Sequence, residues 1–349
     1  MNKRSFIKFT AVFIFLSALM FNFSAGAAIA KESAAASSEV GILPEVKNYE
    51  TSEVCSLNLG HGSEEVSLGY ENGPRFSSNG PSSFAFDKNE KLYIVDAMNF
   101  KVLVIDNGKV IKTIKYPEGE TKEEKFFISD IAVSNDGKKI YLLNQTLRTI
   151  FVLNENGEVK SEIKISEQAV LPSKIYISES GNIVIRDEGG IKTLVYTADG
   201  KVLGRLEGGE ISNITNSDNF LYVLGEMDKD GRDILLMDPV SNRKPKVFAK
   251  LTKVIKNTEP YAYQILGTDA EQNLYASIIE KIEEDVIQTM LYKFSKDGKV
   301  ISRTKIMPFR QIFDTVPTRY IVISPSGNVY AFTANDKLDK LVICKITSK

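Results

Sequence analysis

The segment Pro81–Ile114, PSSFAFDKNEKLYIVDAMNFKVLVIDNGKVIKTI, shows the hydrophobic pattern of the chain most clearly. Short apolar runs are separated by polar breaks at Phe84–Asp87, Leu92–Asp96, Val102–Asp106 and Val110–Ile114. Asn107-Gly108 stands between the last two runs, and this dipeptide is a strong hairpin signal because both central residues of the turn need a positive φ. The segment is therefore predicted to form one small antiparallel sheet of four strands.

The same pattern recurs along the chain at intervals of roughly 40 to 55 residues, the range expected for propeller blades. The units span about residues 81–117, 128–166, 172–208, 211–251, 262–307 and 318–347. Their hairpins share turn residues at Asn107-Gly108, Asn156-Gly157, Asp199-Gly200, Asp297-Gly298, Asp136-Gly137, Ser180-Gly181 and Ser326-Gly327. Helical periodicity is absent after the N-terminal segment, which argues against an α/β fold. The predicted fold is all-β, a six-bladed β-propeller of four-stranded antiparallel blades.

The sixth unit contains only three strands, and an open terminal blade would expose a strand edge that invites aggregation. A strand near the mature N-terminus is expected to complete this blade. Ser52–Leu59 is the first choice for this closing strand, and Glu65–Tyr70 is the alternative.

The first unit resembles the NHL-repeat six-bladed propellers. The resemblance rests on Pro81 followed by a small residue, an apolar triplet ending in Asp87, and the strings Leu-Tyr-Ile-Val-Asp and Val-Leu-Val-Ile-Asp. It extends more weakly over residues 51–349. It implies a propeller that binds proteins, ligands or nucleic acid, although a few secreted relatives are lyases or lactonases with metal-binding acids and histidines at the channel mouth. Fold alone does not supply function.

Residues 1–30 have the pattern of a cleaved secretory signal, with a basic start, an apolar core over Ala11–Phe21 and the small-residue motif Ala28-Ile29-Ala30. The apolar core is shorter than the roughly 20 residues of a spanning helix; an uncleaved anchor is the alternative. Residues 31–50 read as a flexible linker and 51–349 as the propeller. We expect a monomer in the cell envelope or outside the cell, without membrane insertion after cleavage.

Charge and composition restrict the chemistry. The 44 basic residues are balanced by 45 acidic ones, which argues against nucleic-acid binding. The single histidine, His61, argues against a zinc site and against a Ser-His-Asp triad. Asp228–Asp233 resembles a calcium loop, but Gly231 stands at its fourth position and Pro239 at its twelfth, so the spacing fails. We expect no cofactor, with a divalent ion such as Ca²⁺ as the alternative, and no catalytic residue is assigned.

Polar residues at the starts of the innermost strands are the predicted ligand-binding set, because these starts converge on one end of the axial channel. They are Ser83, Asp130, Lys174, Asn213, Gln264 and Arg319. Lys174 and Arg319 could hold an anion that Asp130 and Asn213 orient. In the alternative interpretation, the serines cap strand starts and the charges pair with one another or with solvent.

Three further sets of residues have structural interpretations. Tyr93, Tyr141, Tyr222, Tyr275 and Tyr330 recur at one repeat position and are expected to be structural, and the acidic run Glu280, Glu283, Glu284 and Asp285 is expected to be solvated. The closing strand would bring the only two cysteines, Cys55 and Cys344, into one blade. A disulfide between them and two buried free thiols both remain open, because one residue of register slip changes the face of a strand.

These observations favour a secreted or cell-surface binding or scaffold propeller that recognises a protein or small ligand at the channel mouth or on its loops. The alternative is a metal-dependent hydrolase or lyase, similar to a lactonase, on the same fold.

Overall fold

The computed structural model describes one folded unit, Leu43–Lys349, with gaps. The described residues are 43–67, 81–117, 128–166, 169–178, 180–189, 192–207, 211–214, 221–238, 244–253, 260, 262–283, 286–306, 318–335, 337 and 339–349. Their regular secondary structure is all β-strand, apart from one 3-10 turn at Ala97–Asn99. Among them there is no helix long and apolar enough to cross a bilayer.

The strands are short because polar turn residues interrupt each apolar run, as the pattern predicts. In chain order they are β1 (Val46–Lys47), β2 (Tyr49–Asn58), β3 (Pro81–Phe86), β4 (Leu92–Asp96), β5 (Lys101–Asp106), β6 (Lys109–Lys115), β7 (Ile128–Val133), β8 (Lys139–Asn144), β9 (Thr149–Asn154), β10 (Val159–Lys164), β11 (Pro172–Ile177), β12 (Ile183–Asp187), β13 (Lys192–Tyr196), β14 (Val202–Glu207), β15 (Ile211–Ile214), β16 (Leu221–Met227), β17 (Gly231–Met237), β18 (Lys246–Thr252), β19 (Ala262–Thr268), β20 (Leu274–Glu283), β21 (Val286–Phe294), β22 (Val300–Ile306), β23 (Ile321–Ile323), β24 (Val329–Ala334) and β25 (Lys340–Ser348).

Six antiparallel sheets stand in a ring, which confirms the six-bladed propeller. The first five blades are β3–β6, β7–β10, β11–β14, β15–β18 and β19–β22. The sixth blade consists of β23, β24 and β25, with β2 as its outermost strand. The innermost strands β3, β7, β11, β15, β19 and β23 contact one another in sequence, and β23 contacts β3, so the ring closes.

The N-terminal closure is confirmed, because β2 pairs antiparallel with β25 along its length. The alternative closing segment, Glu65–Tyr70, makes one parallel bridge, Leu59 to Val66. Its residues 68–70 lie outside the described residues. Strand β1 was not predicted. It adds a fifth, parallel strand to the fifth blade through β22, where Arg303 Nε donates to the Pro44 carbonyl at 2.8 Å. The N-terminal segment thus joins two blades rather than one.

The turn chemistry is confirmed at every predicted hairpin. The seven turn glycines all have a positive φ between +71° and +87°. Gly108 shows why a larger residue does not fit: a Cβ there would lie 2.3 Å from the Val54 carbonyl oxygen of the neighbouring sixth blade. The turn between the third and fourth strands of the first blade therefore packs on β2, the outer strand of the sixth blade.

The core lies between the blades, because both faces of each sheet are covered by neighbours. Phe84 of the first blade and Phe332 of the sixth stack with ring centroids 3.8 Å apart. Four of the recurring tyrosines are buried in these interfaces, and Tyr330 is half-buried. Tyr275 Oη, for example, lies 3.1 Å from Asp269 Oδ2 and 3.0 Å from the Gly327 carbonyl oxygen of the next blade, so that the two acceptors share its one proton. These contacts give the tyrosines the structural role expected of them.

The two cysteines are free thiols, so the disulfide is not formed. A register shift between Glu53 and Cys55 places Cys344 opposite Glu53, while Cys55 stands opposite Ile343. Cys55 packs into the interface with the first blade, whereas Cys344 packs into the interface with the fifth. The two side chains therefore occupy different faces of one sheet, and the alternative of two buried apolar side chains describes the structure.

Candidate functional site

Asp130, near the start of β7, is the centre of a polar network at the axis of the ring. Its carboxylate is fully buried. Oδ1 accepts a hydrogen bond from Ser83 Oγ at 2.5 Å, and Oδ2 accepts one from the Ile175 amide at 2.7 Å. Arg319 Nη2 donates to the same Oδ2 at 2.6 Å. One carboxylate thus holds groups from the first, third and sixth blades.

Arg319 reaches this carboxylate from across the ring, since it precedes β23 in the sixth blade while Asp130 belongs to the second. Its Nη2 also donates to the Ile175 carbonyl of the third blade. The guanidinium carbon lies 4.4 Å from the centroid of the Tyr176 ring, within the range of a cation–π contact. Burial alone would lower the pKa of Arg319, but the charge and hydrogen bond of Asp130 together with Tyr176 outweigh burial and raise the pKa. The pair is a buried, charge-assisted bridge across the axis.

Neighbouring contacts extend the network. The Thr318 amide donates to the Ser82 carbonyl and Thr318 Oγ1 to the Ser129 carbonyl, both at 2.7 Å. Tyr320 Oη donates to Gln264 Oε1 at 2.9 Å. The segment before β23 is thereby tied to the inner strands of the first, second and fifth blades.

The structure brings Ser83, Asp130 and Arg319 together, while Gln264 bonds to Tyr320 beside them. Lys174 is half-buried on β11 in register with Arg186, and Asn213 is in register with Tyr222, its side chain being outside the described set. Asp130 and Arg319 follow the alternative interpretation, in which the charges pair. A metal ion at Asp130 would have to displace its donors, whereas Arg319 bonds through Nη2 and its buried Nε has no hydrogen-bond partner among the described residues. The ligand-binding role of the six residues remains a prediction.

Sequence reasoning missed Thr318, Tyr176 and the Ile175 backbone. Thr318 and Tyr320 flank Arg319 directly, so a polar triplet before the short apolar run Ile321–Ile323 was the available signal. No spacing in the sequence indicates that the Arg319 side chain crosses the ring, because that depends on the radius of the channel.

His61 belongs to a second polar cluster, which the Gly60–Gly62 segment forms with side chains of the first blade. Its Nδ1 lies 2.6 Å from Asn99 Oδ1, and Asn99 Nδ2 donates to the Gly60 carbonyl at 2.9 Å. Lys101 is buried, 3.8 Å from Asp96, and donates to the Gly62 carbonyl at 2.5 Å. Burial lowers the pKa of Lys101 despite the neighbouring Asp96 charge. These contacts fasten the Gly60–Gly62 segment to the blade.

The loop that resembles a calcium site uses its first carboxylate internally. Asp228 Oδ1 accepts the amides of Asp230 at 2.8 Å and Gly231 at 3.0 Å, and its Oδ2 pairs with Lys250. The hydrogen bond from Lys250 is the main cause of a lowered pKa at Asp228. Within the described ranges, no three His, Cys, Asp or Glu side chains are grouped to hold a metal ion.

The first residue of the acidic run in the fifth blade, Glu280, does not lie in a solvated loop. Glu280 lies on β20 in register with Gln288 and is fully buried, because the β20–β21 hairpin continues the blade beyond the length of the first three. Glu283 ends β20, and residues 284 and 285 fall outside the described residues. Nearby Tyr263 has its pKa raised to about 12, mainly by burial. The expectation of a solvated acidic face is therefore wrong for Glu280.

Comparison with known proteins gives a fold and no family. No family model matches the chain, and no curated protein matches it. Among solved structures, a member of the duf4221 family from Bacteroides vulgatus is similar at 14% identity and a TM-score of 0.53, over 87% of this chain and 99% of that one. A protein from Bacteroides fragilis described as exported has 12% identity and a TM-score of 0.51, over 88% and 98%.

Virginiamycin B lyase from Staphylococcus aureus is more distant, with 13% identity and a TM-score of 0.47 over 86% of this chain and 99% of that one. At these identities the likenesses show the fold alone. The chain is thus a six-bladed β-propeller, and the NHL-repeat resemblance is not confirmed.

Proposed function

We propose that this chain is a non-catalytic binding propeller that acts outside the cytoplasm as a monomer. The observation that carries the proposal is the mutual neutralisation of Asp130 and Arg319 at 2.6 Å. Together with the hydrogen bonds from Ser83 and the Ile175 amide, it occupies the Asp130 carboxylate that a metal-dependent hydrolase would use as a ligand. The N-terminal signal pattern supports an extracytoplasmic location, as does the description of one structural neighbour as exported.

The contact surface that we favour is the tip of the fourth blade, Glu226–Asp230. All five of its residues are exposed, and Met227 keeps 53% of its surface accessible. The tip lies beyond Ile211, the first residue of the inner strand, which pairs with Val223. It therefore projects at the end of the ring where the inner strands begin. An exposed methionine among charged residues is a composition suited to protein contact.

Site-specific photo-crosslinking in the producing cell tests this proposal. A photoreactive residue replaces Lys229 at the tip or, as a matched control, Lys160 on the exposed part of β10. We expect one discrete crosslinked product from position 229 and none from position 160. Equal products from both positions, or none from either, would contradict a contact at the tip.

Metal analysis separates the binding propeller from the metal-dependent hydrolase or lyase. Purified protein is expected to carry no stoichiometric divalent ion, and Asp130→Asn is expected to leave its metal content unchanged. A stoichiometric ion that is lost in Asp130→Asn would favour the enzyme.

A further inference from the structure

The interface between the fifth and sixth blades is polar at positions that are apolar in most other blades. The strand position opposite the recurring tyrosine position holds Lys293 in the fifth blade, whereas the first four blades have Val104, Val152, Val195 and Leu236 there. Thr304 is buried at a position of the outer strand that is otherwise filled by Ile114, Ile163, Leu206, Ala249 and Cys55. A local departure from the packing pattern of a repeat fold is expected at a functional site.

A cleft of about 210 Å³ lies at this interface. The fifth blade contributes Tyr275, Leu291, Lys293, Ser302 and Thr304 to its lining, and the sixth blade contributes Gly327–Val329 and Ile346–Ser348. Thr304 Oγ1 and Ser348 Oγ lie 2.6 Å apart and join the two walls by a hydrogen bond. Because sites for drug-sized molecules have volumes of about 300–1,000 Å³, the cleft suits a smaller molecule.

Lys293 gives the cleft a positive charge, and none of the described residues that line it is acidic. Its Nζ lies 3.3 Å from Asp269 Oδ2 and 5.1 Å from the centroid of the Tyr275 ring, and 27% of the side chain is accessible. Asp269 also accepts the amides of Glu271 at 3.1 Å and Asn273 at 2.8 Å, so several donors share its charge. Since an ammonium group has three protons, Lys293 can donate to a second acceptor in the cleft.

The neutral polar groups of the lining surround this charge. Ser302 and Asn328 are half-buried, and Ser348 is exposed at the mouth. Asn328 Nδ2 donates to Ser326 Oγ at 2.6 Å, which leaves its second proton and the amide oxygen for other partners. Hydroxyl and amide groups both donate and accept hydrogen bonds. A ligand that combines a carboxylate with hydroxyl groups therefore matches the cleft, with its negative end at Lys293.

We propose that the cleft between the fifth and sixth blades binds a small organic carboxylate that carries hydroxyl groups, such as a sugar acid. Lys293 binds the carboxylate, and Ser302, Asn328 and Ser348 bind the hydroxyl groups. The cleft borders the Gly327 turn, which follows the inner strand β23, so it lies at the opposite end of the ring from the tip of the fourth blade. Each site can therefore fail without the other.

Saturation-transfer NMR with the full chain tests the proposal. The probes are glucuronate and tartrate, and the controls are glucose and erythritol, neutral molecules with the same numbers of carbon atoms. We expect saturable binding of at least one of the two carboxylates, weakened by added salt, and no binding of the neutral molecules.

Two variants test the location of the binding site. Lys293→Met removes the charge but keeps the length of the side chain, and it should weaken binding at least tenfold. Ser302→Ala leaves the contact with Asp269 intact, and it should weaken binding several-fold even if Lys293→Met fails to fold. Lys345→Met is the matched control, because Lys345 has the same register position in the sixth blade, opposite Tyr330, and does not line the cleft. It should leave binding unchanged.

Absence of binding of both carboxylates to the native chain would overturn the proposal. Equal binding of the neutral molecules would overturn it as well, because the charge of Lys293 would then select nothing. Binding that Lys293→Met and Ser302→Ala leave unchanged would place the ligand elsewhere on the molecule and would also contradict the proposal.

Discussion

Gly108 is constrained twice, by its φ of +75° and by the Val54 carbonyl 2.3 Å from the position of an added Cβ. Gly181 shares the first constraint, with a φ of +87°, but an added Cβ would meet only the Ala198 side chain at 3.5 Å. We expect Gly108→Ala to lower the free energy of unfolding by about 1–3 kcal/mol, and by more than Gly181→Ala does. Urea unfolding of both variants measures the difference. Equal losses would show that the contact between blades adds nothing.

Asp269 should make the fold sensitive to acid. Burial alone would raise its pKa, but hydrogen bonds from Asn273 and the charge of Lys293 at 3.3 Å outweigh burial and lower the pKa below its ordinary value of 3.8. A lowered pKa in the folded state means that the unfolded chain binds the proton more readily in acid. The resulting stabilisation is present above about pH 4 and is lost as the pH falls through the folded-state pKa.

Asp269→Asn is therefore expected to lower the free energy of unfolding by about 1–3 kcal/mol at pH 7. It should also flatten the loss of stability below about pH 4, where the native carboxylate takes up its proton. Urea unfolding across this range provides the measurement. Asp297→Asn, on an exposed turn of the same blade, is the control and should change neither quantity. An unchanged acid slope in Asp269→Asn would contradict this role.

At the scale of the element, the sixth blade holds two thiols that do not meet. Burial raises the pKa of both Cys55 and Cys344 to about 11, so both are protonated at neutral pH. We expect a thiol reagent to titrate both cysteines in denaturant without prior reduction, and to react slowly with the native protein.

A reducing agent should leave the unfolding midpoint of the chain unchanged. A disulfide that closes a loop of this length would contribute about 5–6 kcal/mol, which reduction would remove. Failure to detect thiols in denaturant, together with a lower midpoint after reduction, would show that the bond exists.

The elements of this fold were largely predictable because each depends on local chemistry. Asn107-Gly108 requires its turn, and Phe84–Asp87 alternates because a strand does. The missing strand of the sixth blade followed from the need to close an edge. Strand β1 could not be predicted, because Val46–Lys47 is too short to show any periodicity.

The contacts between side chains were less predictable. The shift between Glu53 and Cys55 decides which face each cysteine occupies, and a bulge leaves no mark in a sequence of alternating residues. Similarly, the burial of Glu280 depends on how far β20 extends. Both outcomes arise from register and strand length rather than from residue type.

At the scale of the whole molecule, Asp130 and Arg319 join blades that are not adjacent in the ring. Arg319 enters with the last blade and bonds to Asp130 of the second and Ile175 of the third. A ring assembled from adjacent contacts alone would open at its weakest interface. A bond across the axis opposes this opening, because separating any of these blades exposes a buried charge.

A double-mutant cycle on Asp130 and Arg319, measured by urea unfolding, tests this bridge most directly. We predict that Asp130→Asn and Arg319→Met each lower the free energy of unfolding by about 3–5 kcal/mol, since each leaves its partner buried without a counter-charge. The double variant should lose clearly less than the sum of the two, because the pair acts as a unit. Additive losses, or single variants as stable as the native chain, would contradict a ring tied across its axis.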